Sequence, residues 1–202
     1  MNASIYSLAF ALVATLSLGG AMAQGPDSAY VRVFDNCETR QLQDQPYYQS
    51  DCLGYGDWTV HVIAGEHGAA VAYSDRGQET QWAENPPRMA PFQDLGEVME
   101  WRLDSEGVAF ATIYRSLFTG FEPGRDEGQF LTVTALRPDG PVGGCHVAYI
   151  EAAVQPGANQ IARDAADMLA ADWLCGVDAP YVFDLNSDMD VATLAAQRRP
   201  GH

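Results

Sequence analysis

The chain has 202 residues, 47% of them hydrophobic, and a formal net charge of −16 from 27 acidic and 11 basic side chains, every basic one an arginine. The apolar content argues against a disordered chain, and the acidity argues against nucleic acid or an anionic membrane surface, which need Lys/Arg clusters. A cationic protein or peptide is the partner this charge favours, although such a surface also serves solubility alone.

Taken in chain order, Ile5 to Leu18 is almost wholly apolar, and Gly19-Gly20 and Ala21-Met22-Ala23 follow before Gln24. This pattern predicts a secretory signal peptide over residues 1–23, although Met1 to Ser4 contain no Lys or Arg. The apolar run falls short of the roughly 20 residues that a membrane-spanning helix needs. Residues 24–202 are then expected to form a single exported globular domain, periplasmic or secreted, in an oxidising compartment.

Trp58 to Ala64 alternates as a strand, Gly65 to Gly68 turns, and Ala69 to Ser74 returns as its hairpin partner. Asp75 to Gly96, with Pro86, Pro87 and Pro91, reads as a long irregular loop. Val98 to Asp104 and Val108 to Arg115 form a second hairpin, with Met99, Trp101 and Leu103 on one face. Ser116 to Gly128 reads as another loop. Gln129 to Arg137 and Gly144 to Ala152 make a third hairpin, and Pro156-Gly157 ends it. A helix is predicted over Asn159 to Trp173 and a short one over Met189 to Arg198. The expected fold is α+β: an antiparallel sheet of about six strands, one long C-terminal helix packed on one face, and an acidic tail, expected to be loose, from about residue 178.

Cys37, Cys52, Cys145 and Cys175 permit three disulfide pairings. Eight strand residues from Cys145 rise roughly 27 Å, and the following helix descends roughly 24–27 Å, which favours Cys145–Cys175. Cys37 and Cys52 then close a polar, tyrosine-bearing loop. A secreted chain with an even cysteine count favours disulfides over a metal site or a catalytic thiol.

Asp184, Asn186, Asp188 and Asp190 place oxygen side chains at alternate positions, as a calcium loop does. Met189 stands where such a loop turns on glycine and Ala195 where it needs a bidentate glutamate, so a helix start capped by Ser187 or Asp188 is the simpler reading. No other cofactor is expected. Glu97, Glu100, Asp104 and Glu106 gather around one hairpin, where a solvated face with a Glu100–Arg102 charge balance outweighs paired acid–base carboxylates. His61, His67 and His146 are eligible as bases, but no H-E-x-x-H or G-x-S-x-G motif supports them. Trp82, Phe92, Phe118 and Phe121 lie in the two long loops, either as anchors for a partner or as satellite core.

Three groups of residues carry a resemblance. They are Cys52-Leu53-Gly54-Tyr55-Gly56-Asp57-Trp58; Glu100-Trp101-Arg102 with Phe110 to Ile113 and Arg115; and Cys145 to Tyr149 with Ala158-Asn159, Ala162 to Asp167 and Trp173-Leu174-Cys175. From Cys37 to Cys175 the chain resembles small secreted alphaproteobacterial proteins of unassigned function. The resemblance implies an exported domain with disulfides and carries over no catalytic residue. The leading expectation is a non-enzymatic binding or envelope-associated protein acting through its two long loops. The alternatives are a secreted hydrolase with a carboxylate or histidine site between those loops, and a calcium-dependent module.

Overall fold

The computed structural model describes residues 26–42, 46–66, 68–75, 92–119, 127–139, 143–184, 187 and 190–198. The signal segment expected at 1–23 lies outside them. The elements are β1 (Asp27–Arg32), β2 (Cys37–Gln41), β3 (Tyr48–Leu53), β4 (Trp58–Gly65), β5 (Gly68–Asp75), β6 (Phe92–Leu103), β7 (Ala109–Thr119), β8 (Glu127–Leu136), β9 (Gly144–Glu151), α1 (Ala158–Leu169), β10 (Tyr181–Phe183) and α2 (Val191–Arg198).

The fold is α+β, but the expected single sheet of about six strands is corrected to two sheets. One has six strands in the order β1-β6-β7-β8-β9-β10, the other four in the order β2-β3-β4-β5. The three hairpins read from alternation, β4–β5, β6–β7 and β8–β9, are present and antiparallel. What alternation missed is non-local. β1 pairs with β6, although the four strands of the smaller sheet lie between them in sequence, and β10 runs parallel to β9, so the larger sheet is mixed. The segment from Cys37 to Cys52, expected as a loop, is itself a β2–β3 hairpin. β6 also begins at Phe92, and β7 and β8 extend to Thr119 and from Glu127, inside stretches read as loops.

Three layers result. The helices lie on one face of the larger sheet, where Ala162, Ala165, Ala166 and Leu169 of α1 and Val191, Leu194 and Ala195 of α2 pack on Val133, Ala135, Ala148 and Ile150. The alanines let the α1 backbone approach the strands closely. The smaller sheet covers the opposite face, where Val60, Val62, Val71 and Tyr73 meet Met99, Trp101 and Leu103. The expected long C-terminal helix is shorter than predicted. α1 ends at Leu169, and beyond it Arg137, just after β8, donates through Nη2 to the carbonyls of Ala170 and Trp173, both at 2.7 Å. The Ala170 carbonyl also accepts from the Trp173 amide at 3.3 Å, so the guanidinium ties down the turn that follows the helix. The segment after 178, expected as a loose tail, supplies β10 and the α2 face of the core.

Cys37 and Cys52 are paired, directly opposite each other across β2–β3 with Cα atoms 4.0 Å apart. Cys145 and Cys175 are paired with Cα atoms 5.6 Å apart, joining the start of β9 to the segment after α1 as the strand and helix lengths predict. Among the described residues no helix is long and apolar enough to cross a membrane.

Candidate functional site

On β4 the residues Trp58, Val60 and Val62 turn inward, so the alternate residue His61 points to the face of the smaller sheet that looks away from the larger one. The same alternation turns Cys52 inward and Asp51 outward on β3, and Tyr73 inward and Ser74 outward on β5. Register then brings the three outward residues together. Asp51 stands directly opposite His61, and Ser74 lies one diagonal step beyond, since His61 pairs with Ala72.

The contacts form one line. His61 Nδ1 lies 2.6 Å from Asp51 Oδ1, and His61 Nε2 lies 2.7 Å from Ser74 Oγ. A carboxylate only accepts, so Nδ1 carries the proton, and in the neutral ring Nε2 is the acceptor for the Ser74 hydroxyl. Asp51 Oδ1 also accepts from Gln49 Nε2 at 2.8 Å, and Arg40 Nη1 donates to Oδ2. Burial pushes the Asp51 carboxyl up, but hydrogen bonds from His61, Gln49 and Arg40 outweigh it and hold it below the ordinary carboxylate range. His61 and Ser74 are both buried.

Ser74 is fixed from a second side. A Cβ on Gly143 would fall 1.8 Å from the Tyr73 carbonyl oxygen and 3.1 Å from the Ser74 amide nitrogen. The entry to β9 therefore runs against the β5 backbone as closely as glycine allows. Across four strands the order is Arg40, Asp51, His61, Ser74.

A second polar zone lies on the larger sheet. Thr112 donates to the Tyr73 hydroxyl at 2.8 Å, and that hydroxyl points at Met99 Sδ, 3.7 Å away. Burial raises Tyr73, and it pushes Tyr114 up to about 12, so both phenols stay neutral. Trp101 Nε1, Tyr114 Oη and Thr134 Oγ1 close no well-aligned hydrogen bond among the described residues, although Thr132 lies beside Tyr114 and Thr134 beside Tyr73. His146 Nδ1 lies 2.6 Å from the Tyr149 hydroxyl, and burial lowers the His146 imidazole to about 4.

Of the sites expected from sequence, His61 falls in the relay. His67, Trp82, Phe121, Asn186 and Asp188 lie outside the described residues. Phe92 opens β6. Phe118 is enclosed with Phe130 and Tyr149 in a small cluster of its own, its ring centroid 5.4 Å from that of Phe130, so it presents no exposed ring to a partner. Asp184 accepts from Ser187 Oγ at 3.1 Å. Asp190, rather than Ser187 or Asp188, caps α2: its Oδ1 accepts from the Thr193 amide at 2.9 Å and its Oδ2 from the Thr193 hydroxyl at 2.7 Å. Among the described residues no group of three or more side chains is arranged to hold a metal ion. Replacing the cap, Asp190→Ala, is expected to speed amide exchange in the first turn of α2 and leave α1 unchanged. Equal exchange at Thr193 in both proteins would show that the cap is idle.

Glu100 is not part of a solvated face. Arg163 Nε reaches its Oε1 at 2.7 Å and Ser28 Oγ donates to the same oxygen at 2.6 Å. Burial pushes Glu100 up, and these contacts outweigh it and lower it. Asp104 Oδ1 accepts from the amides of Glu106 and Val108, both at 2.9 Å, which ties the β6–β7 turn.

Sequence reasoning missed Asp51 and Ser74. With the turn at Gly65–Gly68, pairing Gly65 with Gly68 already sets Ser74 diagonal to His61. Asp51 had no comparable signal, because the register of β3 on β4 depends on a connection that sequence alone did not specify. No family model, curated protein or solved structure matches the chain.

Proposed function

We propose that the chain is an exported hydrolase that works by acyl transfer at Ser74. The observation that supports this is the line Asp51–His61–Ser74, with the carboxylate on Nδ1 and the hydroxyl on Nε2. It is the connectivity by which serine nucleophiles are activated on unrelated folds. In such a step Ser74 Oγ attacks an acyl carbonyl while His61 Nε2 takes the hydroxyl proton, and Asp51 stabilises the imidazolium that forms. The bond from the carbonyl carbon to the leaving oxygen then breaks, and His61 returns the proton to that oxygen. Water, deprotonated by His61, releases the acyl group and restores Ser74.

The charge of −16 favours neutral or cationic esters over anionic ones. Two disulfides support work outside the cytoplasm, in the periplasm or beyond. The binding role expected first from sequence ranks second, because Phe118, one of the aromatics expected to anchor a partner, is enclosed. The acidity still favours a cationic protein or peptide for that second role.

The test is covalent labelling of the oxidised protein with a fluorophosphonate, read by peptide mass spectrometry. The expected result is one adduct, on Ser74. It should be absent in Ser74→Ala and slower by about a thousandfold or more in His61→Ala. No adduct, or an equal rate without His61, overturns the hydrolase reading and leaves the binding role.

A further inference from the structure

β2 is an unusual edge strand. Glu38, Thr39, Arg40 and Gln41 are all exposed, and only Cys37 packs against the core. A strand that buries so little has a weak hold on its sheet. Among the described residues its side-chain ties to the rest of the molecule are few. They are the Cys37–Cys52 bridge at one end, Thr39 Oγ1 to Ser50 Oγ at 2.8 Å, and Arg40 to the outer oxygen of Asp51. The bridge is one residue from Asp51, and Arg40 lies three residues along β2, on the diagonal that faces Asp51. Asp51 therefore has its inner oxygen committed to His61 and Gln49 and its outer oxygen to a residue carried by a strand that the disulfide pins.

We propose that Arg40 is a positioning residue for the Asp51–His61–Ser74 relay, and that the Cys37–Cys52 bridge, by pinning β2, makes the relay depend on an oxidising compartment. The inference rests on the hydrolase reading. Arg40 touches no reacting atom. It fixes the carboxylate plane, and the carboxylate fixes the plane and tautomer of the imidazole. Cys37 is half-buried and Cys52 fully buried, so a dithiol reaches the Cys37 sulfur first. Its thiolate attacks that sulfur, the bond between the two protein sulfurs breaks, and Cys52 leaves as a thiolate that takes up a proton. The second thiol of the reagent then displaces Cys37, giving two protein thiols and the oxidised, cyclic reagent. With the bridge gone β2 separates readily, Arg40 leaves with it, and Asp51 and His61 lose their alignment. A chain still in a reducing cytoplasm would carry an unassembled relay, and export would complete it.

The experiment uses the full exported chain as wild type, as the double variant Cys37→Ser/Cys52→Ser, which retains the Cys145–Cys175 bridge, and as Arg40→Gln and Arg40→Lys. Two readouts are taken: the rate of fluorophosphonate labelling at Ser74, and the low-field proton resonance of His61 Nδ1–H, which reports its bond to Asp51 whether or not the protein is an enzyme. The double variant and Arg40→Gln should each label about tenfold to a hundredfold more slowly, the scale of a misplacement near 1 Å. They should also lose or broaden the low-field resonance. Arg40→Lys should stay within a few-fold of wild type, since a single donor to the outer oxygen is what the site uses. A sharp resonance and unchanged labelling in the double variant would overturn the inference. Absence of labelling in all four proteins would sink the hydrolase reading, and the resonance would still decide whether β2 holds Asp51. A resonance that ignores both Arg40→Gln and the loss of the bridge ends the proposal.

Discussion

Replacing Arg102 by methionine is expected to cost roughly 3–5 kcal/mol of folding stability, the scale of breaking a buried ion pair by removing one partner. Arg102 lies on β6 facing α1 and is 5% exposed. Its Nε and Nη2 donate to the two oxygens of Asp167 on α1 at 2.9 and 2.8 Å. Nη1 donates to Ser28 on β1, and Nη2 also to the Pro26 carbonyl at 3.1 Å. One guanidinium thus joins the edge strand, the neighbouring strand and the helix. Methionine fills the stem but leaves the partly buried Asp167 without its charge partner, while Glu100 keeps Arg163. For a chain of this length the loss corresponds to a melting temperature lower by about 10 °C. Denaturant unfolding of the oxidised protein checks the figure. Adding Asp167→Asn to Arg102→Met should restore part of the loss, because much of the cost is the stranded charge. A single-variant loss below about 1 kcal/mol would mean that water already compensates the pair.

The second large effect is a fall in stability on mild acidification. Burial lowers His146 to about 4, against an ordinary value of 6.5. The folded state therefore keeps this ring neutral, while the unfolded chain takes up a proton below pH 6.5. The stabilisation is fully present above 6.5 and drains away as the pH falls towards 4, by on the order of 3 kcal/mol in all. Asp51 and Glu100, both lowered, act in the same direction but in a lower window: their stabilisation holds above the ordinary carboxylate range and is lost only as the pH falls through it. The slope between pH 6.5 and about 4.5 is thus assigned to His146. His146→Gln should flatten that slope while retaining a partner for the Tyr149 hydroxyl. An unchanged slope in the variant would assign the acid sensitivity elsewhere.

Local pattern and distant pairing explain what could be read from the chain and what could not. The hairpin at Trp58 to Ser74 was legible because alternation and a tight turn are both written within a few residues. So was the Cys145–Cys175 pairing, since strand rise and helix rise are fixed lengths. The split into two sheets was not legible. Asp27–Arg32 becomes a strand only because β6 is there to receive it, and nothing within those six residues names the partner. Arg163 and Asp167 look like solvent-facing helix residues by periodicity. The close seating of an alanine-faced helix instead lets them reach Glu100 and Arg102 on the strand below. The relay was half visible for the same reason: His61 and Ser74 belong to one hairpin, whereas Asp51 arrives through a register set by a third strand.

The ties between elements in this molecule have one further property. Arg40 to Asp51, Arg102 to Asp167, Arg163 to Glu100 and Arg198 to Asp178 all use a guanidinium, and Arg198 also lies over the Trp173 ring at 4.5 Å. A guanidinium keeps its proton in any water a protein meets, whereas an ammonium gives its own up near pH 10. The buried phenols Tyr73 and Tyr114, by contrast, are held neutral beyond the range where unfolded phenols ionise. Alkali therefore leaves the ion-pair ties between helix and sheet and between strands intact, and acts on the core through those two phenols once the unfolded chain can ionise them, above about pH 10. Acid finds a buried imidazole and the carboxylate half of each of those ties. Tolerance is thus asymmetric about neutrality: acid begins to act at the imidazole's ordinary range, whereas alkali acts only once phenols ionise.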